Sequence, residues 1–252
     1  FPFRWVMLFG GSPTGTAMAW IALLALGTAM AVDDDRPSGG WLAALALLLA
    51  WLNDRHVFFF SFLALPGLIL LFLLLRRPRP QPVPWKQRLL ALLALAAAAL
   101  VLGAVAARSA VSGFAHTSLE TGRAIEEVRK FSPFARGLVA WGGRGRDAHI
   151  YLGWLFFALA ALHLVLIVKT WPARSFQERR RGVAGLLLGL AGGLTILLAL
   201  GPKGPWDGAL FDFVRAHVPG SKVLRQPAKI FCLFTFLLPA ALAPFGADNL
   251  PG

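Results

Sequence analysis

The chain of 252 residues is 57% hydrophobic and 15% charged, with a mean hydropathy of +0.66. A soluble domain of this length carries about 45–50% apolar and about 25% charged residues, so the composition excludes an ordinary soluble globule and a disordered chain. The one cysteine, Cys232, has no partner in the chain. That excludes a disulfide scaffold and leaves a polytopic membrane protein.

Crossing about 30 Å of hydrocarbon takes about 20 helical residues at about 1.5 Å each. Apolar runs approach that length at Thr16–Val32, Val57–Leu75, Leu89–Ala107, Ile150–Val168, Val183–Leu200 and Ile230–Phe245, the last interrupted by Pro239 and Pro244. A seventh run, Trp41–Leu52, is shorter. It either borrows Ser38–Gly40 and Asn53 or forms half of a hairpin packed in protein. The expected fold is an all-α polytopic transmembrane helix bundle of about seven spans, a single domain over residues 1–252 with two longer outer loops. The chain starts at Phe1 without Met and ends soon after a span. We therefore expect an internal piece of a longer membrane protein.

The net charge of +13, from 25 basic and 12 acidic residues, is unevenly placed. Arg76–Arg88 holds five basic residues and no acid, and Lys169–Gly182 holds five basic residues and one acid. Arg108–His149 mixes seven basic with four acidic residues, and Gly201–Lys229 mixes five with two. Because Lys and Arg resist translocation, the first pair is expected in the cytoplasm and the second pair outside, together with Asn53–His56. The basic residues punctuate apolar spans instead of forming an aromatic-interleaved stripe, which excludes a nucleic-acid partner.

Neither a metal-ligand cluster, nor a phosphate loop, nor a nucleophile elbow is present in the sequence. His163 lies mid-span, where an ionisable group is a functional candidate; a neutral imidazole bonded to a neighbouring helix is the plainer account. Asn53-Asp54-Arg55-His56 reads either as a solvated turn or as a polar cluster lining a cavity, with Asp54 and His56 able to handle a proton. Thr117-Ser118-Leu119-Glu120 is a possible capping box before a helical stretch to Phe131. In that stretch Ile125, Val128 and Phe131 form an apolar stripe, suited to lying on the membrane or capping the bundle. Glu120, Glu126 and Glu127 are acid–base or metal candidates, or simply a charged face in water. The segment Gly201–Lys229, rich in proline and glycine, is expected to be a shaped loop and not a helix. Lys222, Arg225 and Lys229 stand at the outer edge of the closing span, against the positive-inside tendency. They suit phosphate binding or snorkelling to lipid head groups.

Three elements carry a family resemblance. The first is Ala19-Trp20-Ile21-Ala22-Leu23-Leu24, then a short span, then His56 opening a Phe-rich span. The second is Phe131-Ser132-Pro133 followed by Tyr151-Leu152-Gly153. The third is Leu224-Arg225-Gln226-Pro227-Ala228-Lys229. In this order they resemble bacterial membrane proteins of the GT-C glycosyltransferase superfamily, particularly the YfhO-like group. Lys229 replaces that group's second arginine, and of its histidine element only His56 matches. The resemblance implies transfer of a sugar from a polyprenyl-phosphate donor to a cell-envelope acceptor, on the outer face of the bacterial cytoplasmic membrane. It implies Arg225 and Lys229 as donor-phosphate ligands, joined by Lys222 from its place at the same edge, and a catalytic acid upstream of Phe1. Asp54, His56 and Glu120 remain as catalytic candidates within the chain, and a divalent cation is a possible cofactor. Two rivals stand beside it: a transporter or flippase of lipid-linked sugars, and a non-catalytic envelope-assembly protein on the same fold.

Overall fold

The computed structural model describes residues 12–76, 84–114, 122–140, 147, 150–170, 176–234 and 237. Among these the chain is helical, without a strand. The α-helices are α1 (Pro13–Val32), α2 (Pro37–Asn53), α3 (Arg55–Leu75), α4 (Trp85–Phe114), α5 (Ile125–Phe131), α6 (Trp154–Thr170), α7 (Phe176–Leu200) and α8 (Pro205–His217). Short 3-10 helices cover Ala135–Leu138, Gly201–Lys203, Ser221–Val223 and Pro227–Leu233.

The bundle is organised by its shortest candidate span. Helix α2 runs 17 residues, which at about 1.5 Å each falls short of a full crossing. It does take up Ser38–Gly40 and Asn53, and it is seated between α1 and α4. Its small residues Gly39, Gly40, Ala43, Ala46 and Ala50 face inward, whereas Trp41, Leu45, Leu48 and Leu52 face outward. A water-soluble helix shows the opposite pattern. Small residues inside and large apolar ones outside are the signature of helices packed in lipid. The close approach is backbone to backbone: a Cβ on Gly39 would lie 2.4 Å from the Ala31 nitrogen, and one on Gly27 would lie 2.5 Å from the Ala43 nitrogen.

Four helical stretches are long and apolar enough to cross a membrane: Pro13–Val32, Arg55–Leu75, Trp85–Ser109 and Gly182–Lys203. The chain is thus a helical membrane protein with four such stretches among the described residues. Helix α6, like α2, has 17 residues. The expected closing span, Ile230–Phe245, opens as 3-10 helix, and beyond Phe234 and Leu237 it lies outside the described residues.

Two expectations for the outer segments are corrected. The expected loop from Arg108 starts as helix, because α4 continues to Phe114. The expected loop 201–229 contains the 13-residue helix α8. Its first residues are a kinked corner, and the regular right-handed helix runs from beyond Gly208 to His217. The glycines serve the corner before it. Trp206, Asp207 and Gly208 adopt left-handed φ of 55°, 53° and 79°, turning the chain so that α8 packs back on α7 and on Gly201–Lys203.

Candidate functional site

Asp54 is the only residue between α2 and α3, and it serves both helices. Its backbone N–H donates to the Ala50 carbonyl at 2.8 Å, closing α2. Its Oδ1 accepts the His56 backbone N–H at 2.8 Å, opening α3 as an N-cap. So far this is the turn that the sequence suggests. The turn, however, is not solvated: Asp54 is buried, and each carboxylate oxygen has further partners. His56 Nδ1 lies 3.1 Å from Oδ1. On Oδ2, Lys229 Nζ donates at 3.1 Å and the Thr14 hydroxyl donates as well. Thr14 itself accepts from the Ser12 hydroxyl at 3.0 Å.

One carboxylate therefore ties together the start of α1, the α2–α3 junction and the Pro227–Leu233 helix. Burial alone raises the Asp54 pKa. The His56 and Thr14 hydrogen bonds and the Lys229 ammonium outweigh that, holding it well below the usual carboxylate range. A carboxylate so held is a weak base. Its chemical effect falls on His56: an ionised carboxylate only accepts, so Nδ1 carries the proton, and in the neutral imidazole Nε2 keeps its lone pair. The His56 side chain is 30% exposed, against 3% for Asp54 and 13% for Lys229. The arrangement is an oriented imidazole at the edge of a buried ion pair.

An apolar groove of about 380 Å³ runs between α3 and α7, lined from Phe59 and Phe60, one helical turn beyond His56. It extends from Leu71 and Leu187 to Phe211, Val214, Leu224 and Pro227. Ile230 and Leu233, from the helix that carries Lys229, line its wall.

A second polar group lies on the cap formed by α5, α8 and Ser221–Val223. Arg225 Nε lies 3.1 Å from Glu127 Oε1, and its guanidinium covers the Phe131 ring at 3.9 Å. Arg123 Nη1 reaches the same Glu127 oxygen at 2.9 Å. Val128 of the α5 stripe is fully buried, so this helix caps the bundle. The cap is anchored further by Lys203 Nζ, which donates to the Ser132 carbonyl at 2.7 Å.

Of the residues singled out in the sequence, the structure brings Asp54, His56 and Lys229 together. Arg225 is engaged by Glu127, and Lys222 is exposed on the cap. Glu120 and the side chain of His163 lie outside the described residues. Among the described residues no group of three or more His, Cys, Asp or Glu is placed to hold a metal ion. Thr14, Arg123 and Arg215 were missed. A threonine next to a helix start carries no sequence signal of a partner forty residues on. The partner of Asp54 was more accessible: an acid beside an apolar run needs a cation, and Lys229 stands beside the last apolar run of the sequence.

No family model matches the chain, and neither does any curated protein or solved structure.

Proposed function

We propose that this chain is part of a bacterial inner-membrane glycosyltransferase that moves a sugar from a polyprenyl-phosphate donor to a cell-envelope acceptor, with the Asp54 end facing outward. The observation that carries the reading is His56, oriented by Asp54, one helical turn before Phe59 and Phe60 of the apolar groove. Glycosyl transfer needs a base on the acceptor hydroxyl and positive charge on the departing phosphate. His56, oriented by Asp54, is suited to the first; Lys222 and Arg225 on the cap, with Lys229 beside Asp54, are suited to the second. The groove has the apolar lining that a prenyl chain requires, and it rises to Leu224 and Pro227, which flank Arg225 in the sequence.

The test is transfer of labelled sugar from a polyprenyl-phosphate donor to envelope acceptors, by the full chain in vesicles. His56→Asn is expected to lower the rate by roughly 10²–10⁴-fold, the usual weight of general base catalysis. A rate unchanged in that variant would falsify the assignment. The flippase reading draws on the same groove, which exposed Leu63 and Leu70 border. Movement of the labelled lipid across the vesicle with no transfer would favour it.

A further inference from the structure

Arg215, on α8, has the one guanidinium on the cap whose bonding is incomplete in a buried position. Its Nη2 donates to the Arg123 carbonyl, while its Nη1 is buried without a hydrogen-bond partner. A buried donor left in this state is unfavourable, so such groups are met by water or by a bound acceptor. The surroundings select the kind of acceptor. Arg123 is fixed in place by three bonds, from its N–H to the Lys222 carbonyl at 3.0 Å, from Nε to the Val223 carbonyl at 3.1 Å, and from Nη1 to Glu127. Arg225 uses only Nε on Glu127, and its forked terminal nitrogens make no bond to a described residue. Lys222 stands exposed beside Gly122, where a Cβ would lie 2.7 Å from the Lys222 Cβ.

Arg123 and Arg225 share the one carboxylate of Glu127, while Arg215 reaches the Arg123 carbonyl and Lys222 is exposed, with Glu126 and Asp212 as the other acids on α5 and α8. That leaves an excess of positive charge concentrated on a small surface, with rigid forks suited to tetrahedral oxyanions. We infer that Arg215 and Arg123 complete, with Lys222 and Arg225, a binding site for a phosphate-class dianion on the α5–α8 cap. This rests on the reading that Lys222 and Arg225 face a donor phosphate, and it extends that site to two residues with no mark in the sequence. It also separates Lys229 from the site, since its ammonium is already committed to Asp54. The same chemistry is offered by a lipid phosphate and by a soluble phosphate, and the experiment distinguishes them.

The test is calorimetric titration of the full chain in lipid nanodiscs, one arm with inorganic diphosphate and the other with polyprenyl phosphate in the disc. Arg215→Lys and Arg123→Gln are expected to weaken binding roughly tenfold or more, as loss of a charge-assisted bond does. Lys222→Gln, at an exposed position, should weaken it a few-fold, whereas Lys169→Gln on α6, a change of equal charge, should leave it unaltered. Helix content by circular dichroism accompanies each variant. If Arg215→Lys does not fold, Arg123→Gln decides the extension, with Lys222→Gln and Arg225→Gln reporting on the donor reading. No binding in either arm, or binding indifferent to all four cap variants, overturns the inference. Lipid-phosphate binding that needs Arg225 but is indifferent to Arg215 and Arg123 overturns the extension and leaves the donor reading in place. Diphosphate binding that needs Arg215, with no binding of the polyprenyl phosphate, upholds the site and removes the donor reading.

Discussion

Each end of the bundle buries one aspartate in the short connection between two helices, and the two are held by different partners. At the α1–α2 turn, Asp35 is fully buried and bonded by two arginines: Arg76 at the end of α3, and Arg88 in the first turn of α4, with Nε 3.3 Å from Oδ1. Arg180 on α7 adds to that end by donating to the Leu73 carbonyl at 2.7 Å. At the α2–α3 junction, Asp54 is bonded by a lysine, a threonine and a histidine. Two guanidinium charges, from Arg76 and Arg88, pair with the Asp35 carboxylate, which makes it a clamp joining the α1–α2 turn to the α3 and α4 ends. The Asp54 partners include an imidazole that is partly exposed and, in its neutral form, retains a lone pair on Nε2. The first arrangement is suited to fixing helices; the second also leaves an oriented imidazole partly exposed.

The comparison breaks most visibly at Asp35. Asp35→Ala removes the acid and leaves Arg76, largely buried, without its counter-charge. It also places alanine at a φ of 51°, a left-handed position that Asp and Asn tolerate better. Removing one partner of a buried pair costs about 3–5 kcal/mol. The value here should sit at the lower end, because Arg88 is half exposed and screened. Asp35→Asn keeps the backbone preference, so it should be less damaging by about 1 kcal/mol. Thermal unfolding in detergent checks both; a Tm unchanged in Asp35→Ala would show that the clamp bears no load.

The next effect is at Lys229. Lys229→Met removes the cation from Asp54 while Thr14 and His56 still donate, so about 2 kcal/mol is expected, below the range for an unassisted buried charge. Asp54→Asn retains the N-cap, which asparagine fills as well as aspartate. The double variant should therefore recover part of the loss. The pH dependence follows from the sign of the shift. The folded Asp54 pKa lies below its ordinary value of 3.8, so its contribution is fully present above about that pH. As pH falls further, toward the folded value, the contribution is lost. Unfolding between neutral pH and acid should reveal this decline in the wild type and a smaller one in Asp54→Asn. Identical acid profiles would mean that the carboxylate is not held as the geometry implies.

How far the sequence foretells this differs by region. Apolar composition and run length suffice for α1, α3, the main part of α4 and α7, because crossing a membrane is a constraint on each segment separately. Helix α2 is legible as a short span, but its place between α1 and α4 is a property of Gly27, Gly39 and Gly40 against neighbouring backbones. Helix α8 was obscured by Gly204, Pro205 and Gly208, which read as a loop and do shape the kinked corner from which the helix leaves. At the site, Asp54, His56 and Lys229 each stand out as polar residues next to apolar runs. That they are one cluster depends on bringing residues 14, 54 and 229 to a common end, which no local pattern encodes. Arg215 looked like an ordinary basic residue on a polar segment; only the burial of its Nη1 separates it from the others.

The smallest expected effect on stability sharpens the comparison most. His56→Asn removes one partner of Asp54 but leaves Thr14, Lys229 and the backbone N–H of residue 56 in place, since that last bond does not depend on the side chain. The lost bond is partly solvated, so the expected destabilisation is at most about 1 kcal/mol, a shift of a few degrees in Tm. If both aspartates were clamps alone, this variant and a conservative change at Arg88 would be equally silent in every assay. If the Asp54 end provides a base, His56→Asn alone should combine near-native stability with lost sugar transfer. Arg88→Lys, at the other end, keeps a charge beside Asp35 and should retain both. Measuring Tm and transfer for this pair separates an effect on folding from an effect on chemistry. A parallel loss of transfer in the two variants would remove the distinction between the ends.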